Sequence, residues 1–74
     1  MVKIYPNPAK NTITIEAESS IQLVQMYDVQ GRLLQTVMVN SKVELLNIAS
    51  RPAGMYFIKV TTDKGITTKK VIKQ

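Results

Sequence analysis

Apolar residues return at every second position over most of this chain, which is the period of a half-buried β-strand and not of a helix. The clearest case lies near the C-terminal end. Met55 to Thr62 and Ile66 to Ile72 alternate on either side of Asp63-Lys64-Gly65 and predict a β-hairpin. In its first run Tyr56, Ile58 and Val60 share a face expected to look into a core, and Met55, Phe57, Lys59 and Thr61 share the other. The second run carries apolar residues on both faces, so its inward side stays open. The connection fits a type I turn followed by a residue of positive φ, which Gly65 adopts without a Cβ penalty.

Upstream the alternation continues in short runs. Val2-Lys3-Ile4-Tyr5 reads as a strand closed by Pro6-Asn7-Pro8. The prolines fix φ and remove two donors, so this segment is expected to cross between sheets or edges, with Asn7 tightening it by bonding its own backbone. Asn11 to Ala17 places Ile13 and Ile15 inward and Thr12, Thr14 and Glu16 outward, and Glu18-Ser19-Ser20 breaks the run. Ile21 to Tyr27 puts Ile21 and Leu23, with Gln25 and Tyr27, on one face and Val24 and Met26 on the other.

Asp28-Val29-Gln30-Gly31 reads as a turn, with Asp28 accepting backbone N–H groups and Gly31 left-handed. Arg32 to Val39 runs back, bringing Arg32 within reach of Asp28. After Asn40-Ser41-Lys42, Val43 to Ile48 opposes Val43, Leu45 and Asn47 to Glu44, Leu46 and Ile48, and a loop from Ala49 to Gly54 follows. The prediction is an all-β chain of about seven short strands in a small antiparallel sandwich. An open barrel of the SH3 or oligonucleotide-binding type competes with it.

A chain of 74 residues, 45% hydrophobic, is one domain, and folding at this size buries only about 60% of the unfolded surface. There is no Cys and no His, which removes disulfides, the usual zinc sites and the commonest catalytic residues. No apolar run approaches the length of a membrane span, and the N-terminus lacks a signal-peptide pattern. Met1 leads straight into strand-like sequence and is expected to be an initiator placed ahead of a domain cut from a longer protein.

The net charge is +5, and Lys59, Lys64, Lys69, Lys70 and Lys73 all sit in the final hairpin. Nucleic acid, an anionic glycolipid or an acidic protein would suit such a patch, and so would a bland role in which lysines keep strand edges from aggregating. Asp28 and Asp63 lie in turns and the Glu residues at solvent-facing positions, so no acid-base pair is expected. Glu16 and Glu18 share a strand face but make a weak metal site alone. Gly31, Gly54 and Gly65 are isolated and form no phosphate loop, and no cofactor is expected. Four aromatics, not interleaved with the bases, argue against nucleic acid as a partner.

The order of motifs resembles the type A C-terminal sorting domains of the type IX secretion system. Pro6-Asn7-Pro8 is similar to the family's opening motif, and Tyr27-Asp28-Val29-Gln30-Gly31-Arg32 to its central one. Ala53-Gly54-Met55-Tyr56-Phe57 resembles its Gly-x-Tyr strand, and Lys69-Lys70-Val71-Ile72-Lys73-Gln74 its basic and apolar ending. Arg51 departs from the family, which often has Leu there. The resemblance spans essentially the whole chain and implies an Ig-like sandwich and an address rather than an enzyme. Residues 1–74 would be one sorting domain at the end of a larger secreted protein.

The implied partners are the passenger ahead of the domain, the outer-membrane translocon and a sortase-like cysteine peptidase. The peptidase would remove the domain at the cell surface after passage through the periplasm and join the passenger to an anionic lipopolysaccharide. Lys69, Lys70, Val71, Ile72 and Lys73 are the candidate recognition segment, read as an exposed edge strand open to β-augmentation. Exposed edges also allow a dimer in isolation. The competing classes are a passive Ig-like or carbohydrate-associated spacer, which calls for a solvent-facing aromatic strip, and a basic nucleic-acid-binding barrel.

Overall fold

One long strand organises the sheet. The computed structural model describes residues 1–74. It contains β1 (Lys3–Tyr5), β2 (Thr12–Tyr27), β3 (Leu33–Asn47), β4 (Gly54–Thr62) and β5 (Gly65–Lys73), and no helix. β2 pairs with β3 along most of its length on one side. Its other side pairs with β1 through Thr14–Glu16 and with β4 through Ile21–Tyr27, and β5 adds outside β4. Every one of these pairings is antiparallel.

The all-β antiparallel expectation holds, but five strands in one curled sheet replace the sandwich of seven short ones. Glu18-Ser19-Ser20 and Asn40-Ser41-Lys42 bend β2 and β3 without ending them. None of these six residues lacks an N–H or requires positive φ, so pairing continues through them. What changes there is register, with shifts between Glu16 and Ile21 and again between Ile21 and Leu23. Such bulges bend a strand and increase its twist, and the sheet curls around its own inner face.

The bulge also changes which residues face inward. Strict alternation from Ile21 puts Leu23 inside. Because β2 shifts register against both neighbours between these two positions, the phase flips and Val24 and Met26 are buried with Ile21 instead. In β3, Leu46 and then Ile48 go inward, whereas Val43 and Leu45 stay 42% and 63% exposed. Ile13, Ile15, Tyr56, Ile58 and Val60 are buried as alternation predicts, and Val71 settles the inward side of β5. These residues form a single apolar cluster of 13, to which Val2 and Ala9 also belong.

The β4–β5 hairpin follows the expected turn chemistry. Thr62 pairs with Gly65 across Asp63 and Lys64, neither of which has positive φ, and Gly65 takes φ +137°. A type I turn closed by a positive-φ glycine meets these conditions.

Candidate functional site

The four quoted motifs lie far apart in sequence and meet at one end of the sheet. Tyr27 ends β2 and pairs with Phe57, which pairs in turn with Lys70. Gly54 starts β4 opposite Lys73, and Met55 and Tyr56 face Ile72 and Val71. The crossing at Pro6-Asn7-Pro8, with cis peptide bonds before both prolines, arrives at the same place.

Asn7 does not bond its own turn. Its Nδ2 donates to the Lys70 carbonyl and its Oδ1 accepts from the Ile72 N–H, both at 3.0 Å. Pro8 has no N–H, and the Ala9 N–H donates to the Ile72 carbonyl, so the Asn7 side chain is left to reach across the fold. The Gln74 N–H then donates to the Ala9 carbonyl at 2.8 Å, and Ala9 forms a parallel bridge with Lys73. The last strand is therefore a free edge only in part: from the Lys70 carbonyl to the Gln74 N–H its outer backbone groups are already taken. This corrects the expectation of an open edge, and Ala9 is a contributor that alternation did not flag.

Within the recognition segment Val71 is core. Lys70 and Ile72 point to the outer face beside Phe57 and Met55, and Lys69 and Lys73 lie on the Val71 side at period two. The only ion pairs to Asp or Glu are Met1 with Glu18 and Arg32 with Asp28, so no acidic side chain neutralises Lys69, Lys70 or Lys73, although the Lys73 Nζ donates to the Gln74 carbonyl at 2.8 Å. Glu16 is engaged instead by the Tyr5 hydroxyl at 2.7 Å, a bond that raises the tyrosine's pKa. No group of three acidic side chains that could hold a metal forms anywhere.

The turn at Asp28 is built as its composition predicts. Asp28 Oδ1 accepts from the Gln30 and Arg32 N–H groups and Oδ2 from Arg32 Nε, each at 3.0 Å. Gly31 closes the turn at φ +82°. The Arg32 amide, with the Gln30 amide and the Arg32 charge, holds the Asp28 carboxyl below its usual range. A depressed folded-state pKa adds stability above the ordinary aspartate value and loses it as pH falls through the folded one. Asp28→Asn should therefore lower the thermal midpoint at pH 7, and the gap to the unmodified chain should narrow at about pH 2.5. Thermal unfolding at the two pH values checks this.

Two further contacts brace this end. The Tyr56 hydroxyl donates to the Pro52 carbonyl four residues upstream at 2.6 Å, like the tyrosine corner of Ig-type sandwiches. Arg51 reaches the Leu34 carbonyl at 3.2 Å and Gln35 Oε1 at 3.4 Å, so it ties the loop to β3 by hydrogen bonds.

A model of the secretion-system C-terminal sorting domain matches residues 3–74. The chain belongs to this family. The resemblance read from the four motifs is borne out, and the family is one of sorting signals, not of enzymes. The sorting domain is also similar to a solved structure of PorZ from Porphyromonas gingivalis, described as an essential bacterial surface component of the type-IX secretion system. That match has a TM-score of 0.73 and 21% identity, and it covers 99% of this chain but 11% of PorZ. At this identity the likeness concerns the fold. No curated protein sequence matches the sorting domain. Membership of the family implies contact with the type IX machinery and export toward the outer membrane and cell surface.

Proposed function

We propose that residues 1–74 act as one C-terminal sorting signal of a larger secreted protein, read by the type IX translocon through the outward side of the terminal segment. A sortase-like peptidase then removes the domain at the surface and attaches the passenger there. The observation that carries this reading is the convergence of all four motifs on the end of the sheet where the last strand finishes. Asn7 and Ala9 hold its backbone from the Lys70 carbonyl onward, so this terminal segment offers side chains more than main-chain bonds: Lys70 and Ile72 on the outer face, with Lys69 free of any ion pair.

Truncation is a poor test, because removing Lys70 to Gln74 also removes Val71 from the core and every bond from Asn7 and Ala9. Lys70→Glu with Ile72→Asp alters only outward side chains. Fused behind an exported reporter in a bacterium with a working type IX system, the double variant should stay in the periplasm while keeping the thermal midpoint of the unmodified domain within a few degrees. Surface delivery equal to the unmodified fusion would remove the terminal side chains from the signal.

A further inference from the structure

β1 and β5 stand at the two ends of the strand order, and each is paired along one side only. Their free edges border one groove of about 560 Å³, with Val2, Lys3 and Ile4 on the β1 side, Lys69 and Lys70 on the β5 side, and Asn7 also in its wall. Asn7 and Ala9 close the β5 edge beyond Lys70. Before that point the edge is unused.

The free edge of β5 runs on past this groove to Ile66, which borders a neighbouring cavity with Glu18, and alternation decides which of its backbone groups face outward. Ile72 gives both its N–H and its C=O to the outer side, so the even-numbered residues of β5 face outward and the odd-numbered ones face β4. The N–H and C=O of Ile66 and Thr68 and the N–H of Lys70 are thus free to pair. Three lysines, Lys3, Lys69 and Lys70, lie along the groove, and no Asp or Glu lines it. Val2 is buried and Ile4 half-buried, which gives the groove an apolar strip under its cationic rim.

We infer that this groove accepts an extended acidic peptide that adds as a strand to the edge of β5 from Ile66 to Lys70. Its main chain pairs with Ile66, Thr68 and Lys70, its carboxylates meet Lys3 and Lys70 on the outer face, and its alternate apolar side chains cover Val2 and Ile4 on the inner face, beside Lys69. The five-residue edge spans about 17 Å, enough for a segment of about five residues. This goes beyond the sorting reading by naming the chemistry the groove takes, and binding in solution stands or falls separately from delivery to the cell surface.

The probe is a labelled eight-residue peptide of alternating Glu and Val, titrated into the 74-residue chain with anisotropy as the readout. Saturable binding at about 100 µM or tighter is expected, with slower amide exchange at Thr68 and Lys70. Lys69→Glu with Lys70→Glu should weaken it at least about tenfold, since like charges then face the peptide. Thr68→Pro, which removes an outward N–H and no bond to β4, should abolish it. A peptide N-methylated at alternate amides, which blocks pairing without touching the protein, should also fail to bind. Absence of binding would overturn the inference, as would equal affinity for the N-methylated peptide or for hexaglutamate.

Discussion

Replacing Ile58 with Ala is expected to destabilise the domain by about 2–5 kcal/mol. Ile58 is fully buried in β4 between Met26 of β2 and Lys69 of β5, in the middle of the only apolar cluster. A chain of 74 residues has a total stability of roughly 4–11 kcal/mol, so one such cavity removes a large share of it. With a urea dependence of about 1 kcal/mol per molar, the unfolding midpoint should fall by about 2 M or more. Ile66→Ala makes the contrast: Ile66 is 62% exposed, and its loss should stay within about 0.5 kcal/mol. Equal shifts for the two variants would contradict the assignment of inner and outer faces.

Asn7→Ala should give the next largest effect, about 1–3 kcal/mol, although Asn7 is an exposed loop residue. The variant loses the bonds to the Lys70 carbonyl and the Ile72 N–H, each worth about 0.5–1.5 kcal/mol. Its effect should be concentrated at the C-terminal end. Amide exchange at Ile72 should quicken strongly, while exchange at Ile58 follows only the change in global stability. Asn11→Ala is the matching control, since Asn11 contributes a backbone carbonyl to Ile48 and no side-chain bond. Unchanged exchange at Ile72 would mean that the loop does not hold the last strand.

These two residues mark how far the fold was legible in the sequence. Ile58 could be placed because the run from Tyr56 to Val60 alternates strictly and no bulge interrupts it. Val24 and Met26 could not, since the inserted residue near Leu23 shows itself only in the pairing to β3 and β4. Val43 with Leu45 and Leu46 with Ile48 offered two equally apolar phases, and the continuation of β3 alongside β2 decided between them. The serine-rich breaks were visible as breaks in pattern. That they bend strands instead of ending them depends on partners distant in sequence.

The candidate site was legible in its parts and not in its assembly. The turn at Asp28 is a local structure, written in the Asp, the Gly and their spacing, and the protein builds it as read. The reach of Asn7 across 63 and 65 residues is non-local, and its only trace in the sequence is an Asn whose following proline leaves it short of a local donor. Strand order then carries the four motifs to one end, where the crossing loop clamps the terminal strand and leaves its side chains facing out.

Delivery of a reporter to the cell surface tests this sorting role most directly. Residues 2–74 would be fused to the C-terminus of an exported reporter and expressed in a bacterium with a working type IX system and in the same strain lacking the translocon. The expected result is a protease-accessible reporter on the surface of the first strain and a periplasmic one in the second. A reporter that stays in the periplasm of both strains, with the domain intact and folded, would contradict it.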